Sequence, residues 1–167
     1  GVELDSVSLV AELEPTLREL VARGHQLMIM SSNSSTNIHR FLRRHKIDDV
    51  FSSVKGGVGL LSKARVLKRI VQRDGIDFSQ VIYVGDETRD VDASTQVGIL
   101  VAAVSWGFSS REALAAQGPD FLLDHPQQLV TTAQTLVNPS WVRNDYRPSS
   151  QSLASAVTMP VQVVPES

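Results

Sequence analysis

A doubly wound parallel α/β sheet is the fold that this 167-residue sequence predicts, and three observations point to it. Several short apolar runs are continuous rather than alternating, which marks strands covered on both faces. Stretches with apolar residues at helical spacing lie between them, so successive strands join by crossovers and run parallel. The composition, 42% hydrophobic and 20% charged, supplies a core and excludes disorder over the whole length.

Taken in order, Pro15 suits the opening of a first helix that turns Leu17, Leu20 and Val21 inward and ends near Gly24. The strand Gln26–Met30 follows. Ser34 or Ser35 caps a second helix with Ile38, Phe41 and Leu42 as its buried stripe. A weaker strand signal covers 50–54. Ser62 caps a third helix, in which Val66, Leu67, Ile70 and Val71 recur until Gly75 stops it. Further strands are expected at 81–84, Leu100–Val104 and Phe121–Leu123, with weaker helical patterns at 88–96, 110–117 and 126–137. Residues 1–137 therefore form the α/β core. Beyond it the texture turns to Pro, Ser, Gln and Asn without a sustained period, so 138–167 reads as a loosely ordered tail.

Composition removes several function classes. With no cysteine there is no disulfide framework, thiolate metal site or sulfur nucleophile. A net charge of −2 argues against nucleic acid as a partner, because such binding needs an excess of Lys and Arg to displace counterions. No apolar run reaches membrane-spanning length, so no membrane partner is expected. Charge is uneven: residues 1–75 hold 12 Lys+Arg against 8 Asp+Glu and residues 76–167 hold 4 against 10, which together make the totals of 16 and 18. Much of the acidic excess is Asp86, Glu87, Asp90 and Asp92, a crowd that a cation would relieve. Arg40, Arg43, Arg44, His45 and Lys46 form a basic patch that reads as a solvated helix face.

In a doubly wound sheet the ligand site lies beyond the carboxyl ends of the strands, and three motifs fall there. The run VIYVGDETRD delivers Gly85 and Asp86 to a strand end, with Asp90 on the opening turn of the next helix. Two carboxylates there suit a hard cation such as Mg²⁺; they equally suit simple helix capping. In LMIMSSNS a strand ends in Ser31, Ser32, Asn33 and Ser34, where hydroxyls and a helix N-terminus favour an anion. Lys63 follows the glycine-rich Gly56-Gly57-Val58-Gly59 stretch and opens a helix, where a cation faces the positive end of the dipole. Ser62 and Ala64 beside it do not match a P-loop. No G-x-S-x-G elbow exposes a serine nucleophile, and the four histidines show no zinc spacing.

The succession of Ser31-Ser32-Asn33, then Lys63, then Gly85-Asp86 with Asp90 resembles the haloacid dehalogenase superfamily, phosphatase branch. In that family a Ser or Thr at a strand end, a lysine and a G-D-x-x-x-D run are the second, third and fourth motifs. The stretch Val104-Ser105-Trp106-Gly107-Phe108, with Ser110-Arg111-Glu112 and Pro119-Asp120-Phe121, looks like the C-terminal portion of phosphoglycolate-phosphatase-like members. The resemblance covers roughly residues 9 to 135. It implies a cytoplasmic, Mg²⁺-dependent hydrolase of a small phosphorylated metabolite that works through an aspartyl-phosphate. In it Asp86 binds the metal and Asp90 supports or joins it. Lys63 bridges phosphate and carboxylate, and Ser31, Ser32 and Asn33 hold phosphoryl oxygens.

The first motif of the family is an apolar strand ending in D-x-D-x-T that supplies the nucleophile, and it should precede Ser31. Asp5 has neither an apolar strand before it nor an aspartate two residues on. The expectation is therefore a chain without its nucleophile, without turnover and without the central strand of its sheet. With the chain starting at Gly1, the first motif and the cap are expected upstream, because the interval from Ser31 to Lys63 is too short for an inserted cap. A non-catalytic remnant that still binds phosphate and metal is the alternative. A receiver-type signalling domain ranks below both, since its acidic pair and mid-chain phosphoacceptor are not found.

Overall fold

Alternate residues of each strand feed opposite cores, as the pleat of a strand covered on both faces requires. In the computed structural model, which describes residues 7–137, 156–159 and 164–165, the chain runs β1 (Val7–Ser8), α1 (Leu13–Ala22), β2 (Gln26–Met30), α2 (Ser35–Arg44), β3 (Phe51–Lys55), α3 (Lys63–Arg73), β4 (Val81–Gly85), α4 (Thr88–Val97), β5 (Leu100–Val104), α5 (Arg111–Ala116), β6 (Phe121–Leu123), α6 (Gln128–Val137), β7 (Ala156–Met159) and β8 (Val164–Pro165). Leu27 and Ile29, Ile82 and Val84, and Ala102 and Val104 pack with α1, α2 and α6. Their neighbours Met28 and Met30, Val81 and Tyr83 turn the other way, onto α3. Val101 and Ala103 meet α4 and α5 on that same side. Helices thus cover both faces of the sheet, as the strand runs predict.

Six parallel strands make the sheet, in the order β3-β2-β7-β4-β5-β6. The expectation of a vacant centre is corrected here. β7, from within the 138–167 stretch read as loosely ordered, lies between β2 and β4 and pairs parallel with both. β8 pairs antiparallel with β1 as a separate ribbon. The rest of that stretch, and the Asp5 segment, lie outside the described residues.

Three local expectations shift. Leu13, Thr16, Leu17 and Leu20 form the buried stripe of α1, and Val21, a further 100° round from Leu20, is 42% exposed. Pro15 sits at the third residue of α1 rather than opening it, where the missing N–H costs nothing because the first turn has no partner for it. Ser62 makes no side-chain cap for α3; its hydroxyl donates to Gly59 O at 2.8 Å and closes the preceding turn. Ser34 does cap α2, its Oγ accepting from Asn37 N at 3.2 Å.

Candidate functional site

The carboxyl ends of β2 and β4 carry Ser31 and Asp86, and β7 runs between those strands. Two inter-strand spacings, about 9–10 Å, separate the two strand ends.

On the β2 side the backbone is tied tightly. Ser31 N donates to Lys55 O at 2.9 Å and Val58 N donates to Ser31 O at 3.0 Å, so the loop leading to α3 lies against the Ser31 turn. Ser31 is buried, and its Oγ accepts from Asn33 N at 3.2 Å, which leaves the hydroxyl proton available to donate. Asn33 O accepts from Gly57 N at 2.7 Å. Gly56 is needed for this approach, since a Cβ there would strike Ser35 N and Asn33 O.

On the β4 side three side chains meet in the interior. Lys63, first residue of α3 and buried, donates its Nζ to Asp90 Oδ1 at 2.6 Å. Tyr83 OH donates to the same oxygen at 3.3 Å. Glu87 N donates to Asp90 Oδ2 at 3.1 Å, and Asp90 is fully buried. The lysine that faces the wrong end of its helix dipole is therefore held by a carboxylate from the neighbouring helix. Burial, reinforced by the charge of Asp90, raises Tyr83 well above the ordinary phenol value and keeps it a neutral donor. Gly85 makes room for this cluster, because a Cβ there would run into the Asp90 side chain.

Asp86 points elsewhere. Its Oδ2 accepts from Phe108 N at 2.9 Å, and its backbone O accepts from Ser109 N at 2.9 Å. A Cβ on Gly107 would collide with the Asp86 side chain, so the loop after β5 wraps the carboxylate by means of that glycine. Burial pushes the Asp86 carboxyl above its ordinary 3.8; the Phe108 N–H opposes the rise, and the negative charges of Asp90 and Glu87 add to it. A half-buried carboxylate among like charges is what a bound cation relieves.

The structure thus gathers Lys63 with Asp90, and places Asp86 and Ser31 at the ends of strands on either side of β7. Both oxygens of Asp90 are engaged inside the protein, whereas Asp86 is held at Oδ2 by the backbone of the loop after β5. Among those residues no three acidic or histidine side chains form a ready cage. The donor set fits a hard cation that keeps waters and takes phosphate oxygens, with Asp86 as the carboxylate in reach. Tyr83 escapes sequence reasoning because it reads only as a strand residue, and Gly107 because nothing local assigns its neighbour; a glycine packed against a distant carboxylate is visible only in three dimensions.

The sequence model described as haloacid dehalogenase-like hydrolase matches residues 2–104. A phosphoglycolate phosphatase of Synechococcus elongatus is 42% identical over 134 residues, which are 80% of this chain and 63% of that protein. One from Vibrio vulnificus is 28% identical over 125 residues, 73% of this chain and 55% of its own length. A pyrophosphatase of Bacillus cereus is 27% identical over 128 residues, 73% of this chain and 59% of its own. Among solved structures, that of a predicted phosphoglycolate phosphatase from Haemophilus somnus superposes with a TM-score of 0.69 at 23% identity, over 76% of this chain and 58% of that one. The chain thus spans between about half and two thirds of the length of the relatives it matches.

Proposed function

Because this chain belongs to the haloacid dehalogenase-like hydrolases, we propose that it forms the phosphate- and Mg²⁺-binding part of a phosphomonoesterase acting on a small phosphorylated metabolite such as phosphoglycolate. The carrying observation is the buried Lys63–Asp90 pair at 2.6 Å, set at the same sheet edge as Asp86 and Ser31. A lysine is buried with a carboxylate at a strand end where an anion is to be received, and its remaining N–H donors are free to serve phosphoryl oxygens.

In the proposed reaction a carboxylate attacks phosphorus, the ester P–O bond breaks as the new P–O bond forms, and the leaving alkoxide takes a proton. Water then cleaves the aspartyl-phosphate, releasing phosphate and restoring the carboxylate. Ser31 donates its hydroxyl proton to one phosphoryl oxygen, the Ser32–Asn33 turn lines the same place, and Lys63 bridges phosphate and attacking carboxylate. Asp86, and Asp90 behind it through Lys63, form the acidic side of the site. Bound Mg²⁺ supplies neutralisation of the charge that develops on the phosphoryl oxygens, and Asp86 is the side chain that would hold it. An attacking carboxylate would arrive between Ser31 and Asp86.

Calorimetric titration of the 167-residue chain with inorganic phosphate in the presence of Mg²⁺ tests this. Binding is expected, weakened by Ser31→Ala and by Asp86→Asn, without turnover of phosphoglycolate; no phosphate binding with Mg²⁺ present sinks the proposal. Joined to a strand bearing the nucleophile, the protein should hydrolyse a phosphomonoester only with Mg²⁺, and turnover that persists in chelator counts against it. One observation favours a second reading: the segment filling the centre of the sheet, Ala156–Met159, carries no carboxylate. A chain that acts as it stands would then be a non-catalytic phosphate- and metal-binding protein.

A further inference from the structure

Asp86 is gripped from the loop between β5 and α5: Phe108 N donates to its Oδ2 at 2.9 Å and Ser109 N donates to its backbone O at 2.9 Å. Such a grip is only as firm as the two ends of the loop. At the first end, Ser105 N donates to Leu123 O at 2.9 Å and Ser105 Oγ donates to Asp124 Oδ1 at 2.7 Å. At the second end, Arg111 Nε donates to the same carboxylate, at 3.0 Å to Oδ1 and 3.3 Å to Oδ2. A single side chain therefore closes both ends. Asp124 is itself fixed, because it directly follows β6, and its N and His125 N donate to Gln128 Oε1 at 2.7 and 2.8 Å on the first turn of α6. Trp106, inside the loop, packs against the core shared by α1, α2 and α6.

Solvent reaches this brace, with the Arg111 and Asp124 side chains 54% and 39% exposed. An ion pair that accessible adds little to global stability, so the effect of the network is local. A carboxylate that meets a hard cation of strict octahedral preference has to be held in direction as well as in place. We propose that Asp124 is a positioning residue for Asp86: it fixes the loop whose backbone aims the Asp86 carboxylate at the cation. Its influence passes through Ser105 and Arg111. The cation half rests on the reading of Asp86 as the side chain that holds Mg²⁺; the bracing of the loop does not.

Titration calorimetry with Mg²⁺ and amide hydrogen exchange by NMR, both on the 167-residue chain, test this together. In Asp124→Ala the Mg²⁺ dissociation constant should rise about tenfold or more. Before metal is added, the amides of Phe108 and Ser109 should exchange about tenfold faster or more, while those of α3 keep the wild-type rate. The urea midpoint should stay near that of the wild type. Asp124→Asn, which keeps an acceptor for Ser105 Oγ and loses the charge that Arg111 meets, should fall between the two. A merely structural role would instead lower the urea midpoint and speed exchange throughout, leaving the Mg²⁺ affinity of the folded chain unchanged. That pattern overturns the proposal, as does unchanged exchange at Phe108 and Ser109. If Asp124→Ala does not fold, Arg111→Gln, which opens one end only, should show the same changes on a smaller scale, and wild-type behaviour there overturns the proposal equally. Should the wild-type chain bind no Mg²⁺, the reading of Asp86 as cation ligand fails, and exchange at Phe108 and Ser109 alone decides whether Asp124 holds the loop onto it.

Discussion

Lys63 and Asp90 are 2.6 Å apart with both side chains almost fully inaccessible, and removing either partner alone strands a charge in the interior. Lys63→Met is therefore expected to cost about 3–5 kcal/mol in urea unfolding, and combining it with Asp90→Leu should cost clearly less than the two single changes added together. Additive costs would show that the pair is not coupled. Gly107 carries a different constraint: it is needed for space. Gly107→Ala places a methyl group against the Asp86 carboxylate and should destabilise by about 1–3 kcal/mol. Gly59→Ala, where the nearest atom is Ser62 Oγ at 3.6 Å, should stay within about 0.5 kcal/mol. Both values come from the same unfolding measurement.

Elements are held at their ends by specific groups, and two ends give opposite expectations for the same residue type. Ser34 caps α2 through Asn37 N, so Ser34→Ala should lower stability by about 0.5–2 kcal/mol. Ser62 precedes α3 without capping it, and Ser62→Ala should lose less. At the far end of α1, Gly24 takes φ +91°, and His25 N closes the turn by donating to Leu20 O at 3.1 Å. Burial first, then the positive charge of Arg23, hold the His25 imidazole below its ordinary 6.5. The unfolded chain takes up the proton more readily, so this stabilisation is complete above pH of about 6.5 and is lost as pH falls through the lower folded value. Melting temperature should accordingly drop on acidification from about pH 7, more steeply in the wild type than in His25→Gln. Parallel curves would rule His25 out as a source of that drop.

Across the whole molecule, a ligand that binds only the folded state must raise its stability. Mg²⁺ at about a hundred times its dissociation constant would add about 2.7 kcal/mol. Thermal melts in Mg²⁺ and in chelator should differ for the wild type and coincide for Asp86→Asn; coincident wild-type curves would speak against a cation at Asp86. No helix of the described residues is long and apolar enough to cross a membrane. Much else was legible there as well. Leu27 to Met30 and Val81 to Val84 announce doubly covered strands by their unbroken apolar character, and Ile38, Phe41 and Leu42 announce a helix face. Ser31, Lys63, Asp86 and Asp90 each suit helix capping or a plain surface role when taken singly, and they stand out through their order along the chain. The strand and helix signals are local: they depend on the burial and geometry of a single element, which neighbouring residues dictate. Tertiary structure alone decided the rest. It set Asp90 against Lys63 and Tyr83, made Gly107 a wall for Asp86, and drew Ala156–Met159 into the middle of the sheet. Those outcomes depend on which distant segments meet, and a strand edge with unpaired hydrogen-bonding groups accepts whichever segment of the chain reaches it.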